Sequence, residues 1–495
     1  MRGRLVMIGI AHQRICGYRR RCIIEGALFC MVVLLITFCC RAGSLAAGEI
    51  NMITPIASNR FVDAIGIQPA LPNGDQSDAD FARNVACMES LGIHHAIYSI
   101  PPWIPNALSH INSRRILYMA SHGVKTVVLT KLKVDGNGEY HCDEPKHSVY
   151  PPKCTTPPPD VVKIVKLLGP GRVVEGVVGP NEYLVGSHND DPQAPVKLRA
   201  YMTALKAALA ADESTRNLPI IGPTLDPSPY VINPKTGKPK GNKWTEIWDT
   251  SVQPNFEPYV TYGNIHIYDL PFDESFKGQA DRNAWEKRLF DYELAGYPKF
   301  GKGKFAMTET GFATTTNAAA FKRAVTSTEQ ARYLPRQLLR YFKQGFHSIY
   351  IYQLQDRGRD LADKEQCFGI ITADGACKPA FFAVKRLLNL LSDPNTGTFR
   401  PTPLPVRVES SSNTVDYQVF QKHSGTNFIA LWNMIDSGDN VPTKSEIVRI
   451  QIDKRFSKAE LYDVVKSEQP TMVPVQDGHI DLHLDKDVLL LKLGA

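Results

Sequence analysis

Residues 173–186 read VVEGVVGPNEYLVG, an apolar β-branched run stopped by Gly179-Pro180 and followed at once by Asn181-Glu182. A near-continuous valine run of this kind suits a strand buried on both faces, as in a parallel sheet. The pattern recurs at 304–312, KFAMTETGF, which ends in Glu309. Similar short runs rich in Val, Ile and Thr begin at 61, 93, 124, 173, 219, 262, 304 and 347. Each is followed by a longer segment compatible with helix, such as APVKLRAYMTALKAALAADE at 194–213. Strands alternating with amphipathic helices predict parallel βα units, and eight of them predict a (β/α)₈ TIM barrel over residues 60–395. A doubly wound open sheet is the other α/β arrangement, but no GxGxxG follows an early strand.

Beyond the barrel, TGTFRPTPLP at 396–405 reads as a linker. The runs VDYQVFQK, NFIALWN, EIVRIQID, AELYDVV, HIDLHL and DVLLLKL then alternate polar and apolar residues between turn signals. That pattern predicts an antiparallel β-sandwich over 405–495, to which 48–59 is expected to add a strand.

The chain has 495 residues and a formal charge of +7, from 57 Lys/Arg and 50 Asp/Glu. Seven of the basic residues and one acid fall within residues 1–47, so the remainder carries only +1. The basic excess therefore belongs to the leader, and nucleic acid is not expected as a partner. Within that leader Arg19-Arg20-Arg21 precedes the apolar ALFCMVVLLITFCC (27–40) and then small residues around Ala46 and Ala47. This is the pattern of a secretory signal peptide, 1–47. Fourteen apolar residues fall short of the roughly 20 of a spanning helix, so no stable membrane insertion is expected after cleavage. A secreted, periplasmic or cell-envelope protein follows, with an uncleaved signal anchor as the alternative.

Five of the ten cysteines lie in the leader. Cys142 and Cys154 bracket a Pro-rich loop, and Cys367 and Cys377 bracket FGIITADGA, a hairpin with Asp374-Gly375 at its turn. Both pairs are expected to be disulfides in an oxidising compartment, with Cys87 a free thiol. No CxxC spacing or paired histidines suggest a metal site, and no cofactor is expected.

In a (β/α)₈ barrel the active site lies at the C-terminal ends of the strands. Glu182 closes strand four and Glu309 closes strand seven, so two carboxyls meet at one mouth. Retaining glycoside hydrolysis needs such a pair, one protonated and one ionised. Taken alone, TETG also suits a helix N-cap with an acid in the first turn. The chain resembles clan A glycoside hydrolases, retaining (β/α)₈ enzymes with Asn-Glu after strand four (GPNEY here) and Glu after strand seven (MTETGF). The resemblance implies Glu182 as acid/base, Glu309 as nucleophile and Asn181 as a hydrogen-bond donor to the sugar 2-hydroxyl. It also implies contacts to substrate or nucleophile from Tyr268 and His266 in NIHIYDL. The KPA turn before the last barrel helix and the trailing β-domain belong to the same resemblance. Where many clan members carry an arginine after strand two, this chain has IYSIPPW, which offers Trp103 as a stacking platform. Where many carry a tryptophan after strand eight, YIYQLQDRG offers Tyr352 and Gln355. A glycosidase acting on a poly- or oligosaccharide is the expected function, with a catalytically inactive carbohydrate-binding protein on the same scaffold as the alternative.

Overall fold

Two short strands, β1 (Met52–Ile53) and β2 (Ile56–Ala57), precede helix α1 (Ser58–Val62) and the first barrel strand, β3 (Ile65–Ile67). The computed structural model describes residues 51–69, 76–100, 106–130, 157–182, 194–224, 255–268, 296–316, 324–435, 437–442 and 445–494. The expected leader, Trp103, Cys142 and Cys154 lie outside them. Part of the apolar run read as strand one is thus helix. One helical turn aims Phe61 outward, where its ring meets Phe342 at 5.2 Å and Phe420 at 5.6 Å between barrel and β-domain. Burying an aromatic of this size stabilises by roughly 1.5–3 kcal/mol.

The other barrel strands are β4 (His95–Ser99), β5 (Lys125–Leu129), β6 (Val174–Val178), β7 (Ile220–Ile221), β8 (Gly263–His266), β9 (Phe305–Thr310) and β10 (Ser348–Ile351). All eight sequence runs contain a strand. The order β7-β6-β5-β4-β3-β10-β9-β8 is parallel throughout, and a bridge between Ile221 and Tyr262 joins the two ends into a closed barrel. That seam is narrow: Gly222 N donates to Tyr262 O, and the amides of Thr261 and Tyr262 both donate to Ile220 O. Between β4 and β5, by contrast, five residue pairs are in register.

The barrel interior is filled by Ile97, Val127, Val178, Ile221, Ala306 and Tyr350, so it is a packed core and not a pore. Outside it pack α2 (Asp78–Leu91), α3 (Ile111–Ser121), α4 (Pro158–Leu168), α5 (Ala194–Ala211), α6 (Ser327–Lys343) and α7 (Pro379–Leu391). Their ends follow local rules. Ser77 caps α2 by accepting from the Asp80 amide, and Gly92 ends it at φ 73. Thr326 and Glu329 form a reciprocal capping box on α6. Among the described residues no helix is long and apolar enough to cross a membrane.

The C-terminal strands are β11 (Leu404–Ser410), β12 (Val415–Gln421), β13 (Asn427–Asn433), β14 (Glu446–Ile452), β15 (Lys458–Asp463), β16 (Thr471–Pro474), β17 (His479–Leu484) and β18 (Leu489–Gly494). They make two sheets, β1-β11-β14-β17 and β16-β15-β18-β13-β12-β2, so residues 52–57 add a strand to each. Leu404, Val448, Ile450, Leu482 and Leu491 fill the space between the sheets. β13 is buried at every residue because it is covered twice. Ile429 and Leu431 face the sandwich core, while Phe428, Ala430 and Trp432 join the core shared with the barrel helices. From α6 the buried Arg336 donates to Asn433 O (2.8 Å), Ile435 O (2.9 Å) and Ser437 Oγ (3.0 Å), which fixes the β-domain against the barrel.

Candidate active site

Glu182 and Glu309 stand at the same end of the barrel, after β6 and within β9. Gly179 N donates to Ile221 O and ends the ladder of β6. The chain then turns so sharply that Glu182 sits at φ 42, a left-handed conformation a non-glycine residue adopts at some cost. Its amide is held by Thr224 Oγ1 at 3.2 Å, from the segment after β7.

Glu309 is reached through an irregularity. Along β9, Met307 pairs with Ile265 and Glu309 with the next residue, His266; against β10, Met307 and Thr310 pair with Ile349 and Ile351. One residue is therefore extra in β9 relative to both neighbours. Such a bulge re-aims side chains. Here it lets the consecutive Thr308 and Glu309 both reach His266 on β8. Two residues on, Gly311 passes against strand eight, where a Cβ would lie 2.2 Å from Tyr352 O.

His266 joins the two carboxylates. Its Nδ1 is 2.7 Å from Glu182 Oε1 and 3.6 Å from Glu309 Oε2. Its Nε2 is 2.9 Å from Thr308 Oγ1, which in turn donates to Asn264 Oδ1 at 2.8 Å. Tyr268 donates its hydroxyl to Glu309 Oε2 at 2.7 Å. Tyr352 meets Tyr268 edge to face at 6.0 Å, and Arg357 donates to the Tyr352 hydroxyl. Asn181, next to Glu182, carries a buried Oδ1 with no hydrogen-bond partner among the described residues. Glu182, His266 and Glu309 bring ligand-type atoms within 4.8 Å of one another. Their shortest contact is the hydrogen bond between His266 Nδ1 and Glu182 Oε1.

Electrostatics separates the two carboxyls. Burial pushes Glu182 up, but the hydrogen bond and charge of His266, helped by Lys364, take it below the ordinary glutamate value. Burial also pushes Glu309 up. There it prevails, with the negative charge of Glu182, over the pull of His266, Tyr268 and Arg357. Both directions belong to a protonated imidazole between the two acids. With a neutral imidazole whose bare lone pair faces Glu182, the same hydrogen bond favours the protonated carboxyl instead.

Two expectations are corrected. Gln355 does not line the mouth: its Oε1 accepts from Gln76 and Asn84 at 2.7 and 2.8 Å, and its Nε2 donates to Ala373 O at 2.8 Å. With both ends of its amide taken, it ties the strand-eight loop to α2. Cys367 and Cys377 are free thiols, as is the half-buried Cys87. The hairpin between Cys367 and Cys377 closes more tightly than their spacing suggests. Gly375 sits at φ 84 in its turn, and Cys377 pairs with Ile371, four residues beyond Cys367. The Cys367 thiol lies buried against Asp363 O at 3.3 Å, while Cys377 is exposed.

Sequence reasoning also passed over Thr308, Asn264, Arg357 and Lys364. Strict alternation points Thr308 away from Glu309, and only the bulge brings it in. The asparagine has a signal, since it stands two residues before His266 on the same strand face.

The fold is shared with solved glycoside hydrolases. A family 39 glycoside hydrolase from the gut symbiont Bacteroides cellulosilyticus WH2 is 16% identical, with 89% of this chain and 82% of that one covered and a TM-score of 0.56. A GH39 enzyme from Xanthomonas axonopodis pv. citri is 13% identical over 89% and 95% of the two chains, with a TM-score of 0.56. A monomeric beta-xylosidase from Caulobacter crescentus CB15 is 14% identical over 89% and 97%, with a TM-score of 0.54. At these identities the likeness is one of fold. No protein-family model matches the chain, and no curated protein sequence does.

Proposed function

We propose that this chain is a secreted, retaining glycoside hydrolase that cleaves O-glycosidic bonds of a poly- or oligosaccharide, with β-linked sugars favoured. The observation that carries the reading is a pair of carboxyls at the C-terminal ends of barrel strands, with oxygens within 4.8 Å of each other. Retaining enzymes hold their carboxyls about 5–5.5 Å apart, whereas inverting ones need about 6.5–9.5 Å to admit a water. The glycoside hydrolase descriptions of the three structural neighbours point the same way.

In the first step Glu309 attacks the anomeric carbon as the bond to the leaving oxygen breaks, and Glu182 gives that oxygen its proton. The product is a glycosyl ester on Glu309. In the second step a water loses a proton to Glu182 and attacks the same carbon, which frees Glu309. Two inversions leave the configuration retained. Tyr268, donating to Glu309 Oε2, aims the other carboxylate oxygen at the sugar. Asn181 offers its amide to the sugar 2-hydroxyl, and Tyr352 with Arg357 replaces an indole as the wall of the pocket.

The test is a panel of aryl glycosides and polysaccharides, with anomeric configuration followed by NMR in the first minutes of turnover. Hydrolysis with retention, abolished in Glu309→Ala, is expected. An inverted product would refute the retaining mechanism. Binding of a glycan with no turnover on any substrate would favour the carbohydrate-binding alternative. Export is tested separately by sequencing the N-terminus of the mature protein, which is expected just after Ala47.

A further inference from the structure

The hydrogen bonds behind His266 run in one direction. A threonine hydroxyl has a single proton, and Thr308 gives its proton to Asn264 Oδ1 at 2.8 Å. It therefore meets His266 Nε2, 2.9 Å away, with a lone pair, so that nitrogen carries the hydrogen. All three side chains are buried, Thr308 and Asn264 at 1% exposure and His266 at 7%. Water is therefore poorly placed to substitute for either link.

A neutral imidazole has one N–H. With that hydrogen on Nε2, Nδ1 faces Glu182 Oε1 across 2.7 Å as a bare lone pair. We propose that Thr308 and Asn264 are positioning residues that hold His266 in its Nε2–H tautomer and thereby keep a proton on the Glu182–His266 pair for delivery to the glycosidic oxygen. The inference rests on the reading of Glu182 as the acid. Whether the shared proton sits on Oε1 or on Nδ1, the pair holds one. Its loss sets a lone pair against a carboxylate with nothing between them. Among the described residues, the other charged and titratable groups that act on the pair include Lys364 towards Glu182 and Glu309 towards His266, with Tyr268 and Arg357 beyond Glu309. None of them changes when Thr308 is replaced by an uncharged residue of the same shape.

Thr308→Val removes the acceptor at Nε2. The imidazole is then free to carry its hydrogen on Nδ1 and donate it to ionised Glu182, so the pair gives up its proton more readily. The alkaline limb of kcat/KM reports that loss and should fall at lower pH. A hydrogen bond to a charged group corresponds to a shift of about 1–2 pH units. Thr308→Ser restores the hydroxyl and should return the limb to its place, which a packing role for the threonine methyl would not produce. The tautomer is read directly, and without turnover, from the ring ¹⁵N shifts of His266 in histidine-labelled protein near neutral pH. An Nε2–H pattern in the wild type, changed in Thr308→Val, is expected. An Nδ1–H pattern in the wild type would overturn the proposal even if the variant did not fold. So would a valine variant whose alkaline limb superimposes on that of the parent. If the wild type hydrolyses no glycoside, the functional reading falls and acid retention falls with it, while the ¹⁵N pattern still decides what Thr308 and Asn264 do.

Discussion

Tyr268→Phe edits the opposite side of the same acid–base set. The hydroxyl it deletes donates to Glu309 Oε2 at 2.7 Å, and the ring is wedged between Tyr352 and Phe368, with centroids at 6.0 and 5.4 Å. A phenylalanine keeps that packing and removes only the donor. A hydrogen bond to a charged group contributes about 1.5–3 kcal/mol, and at 1.36 kcal/mol per unit its loss raises the Glu309 pKa by about 1–2 units. The sign follows from the role. Glu309 must be ionised to attack, so a higher pKa moves the acid limb of kcat/KM to higher pH and leaves the alkaline limb in place. Well below the parent's acid limb the variant should lose roughly 10–100-fold in rate, and near the plateau much less. The assay is the pH dependence of kcat/KM on one aryl glycoside, with circular dichroism to establish that the variant is folded. An acid limb that stays fixed, or moves to lower pH, would refute the assignment of Tyr268 as the group that stabilises ionised Glu309.

Glu182→Ala should slow substrates with poor leaving groups by roughly 10²–10⁴-fold and spare activated aryl glycosides in their first step. Azide should then release the trapped sugar as a glycosyl azide of retained configuration, detectable by mass spectrometry and NMR. Gly311→Ala places a Cβ 2.2 Å from Tyr352 O, a backbone atom that cannot swing away. Overpacking of this kind costs about 1–3 kcal/mol or more, so thermal unfolding should show a clear fall in Tm. At the other end of the barrel, His95 Nδ1 lies 2.9 Å from Glu175, which lifts the His95 pKa against the opposing effect of burial. Its stabilisation is complete below the ordinary histidine value and is lost as pH rises through the raised one. His95→Gln should therefore cost more stability in urea melts at pH 5.5 than at pH 8.5.

The parts of this protein that sequence reveals are those governed by a regular period. The eight barrel strands and the β-domain could be read because buried parallel strands are continuously apolar and half-covered antiparallel ones alternate. The two candidate glutamates could be picked out because each ends such a run. What escaped breaks the period. Thr308 reaches His266 only through a bulge that no pattern in FAMTET announces. Phe61 sits in a helical turn because the gap beside Phe342 and Phe420 rewards it there. Gln355 stands at the end of a strand, where a pocket residue belongs, yet Asn84 of α2 and Gln76 just before it occupy its amide oxygen, a long-range contact without local trace. Cys367 and Cys377 have a spacing that suits a bridge, but the tight turn at Gly375 sets Cys377 opposite Ile371 instead.

The narrow seam between β7 and β8 places Glu182 and Glu309 in a particular mechanical position. Glu182 follows the strand before the seam's first edge, and Glu309 lies on the strand behind its second, so the gap between the two acids spans the join. The hydrogen bond between His266 on β8 and Glu182 after β6 crosses it as well, and acts as a clasp over this narrow join. Breathing of the barrel at this join is therefore also breathing of the distance between Glu182 and Glu309. A covalent glycosyl intermediate on Glu309, held by contacts from both sides, would lace the join shut for as long as it lasted. Amides of Gly222, Thr261 and Tyr262 would then exchange with solvent more slowly during turnover than at rest, which makes the seam a reporter of the chemistry it encloses.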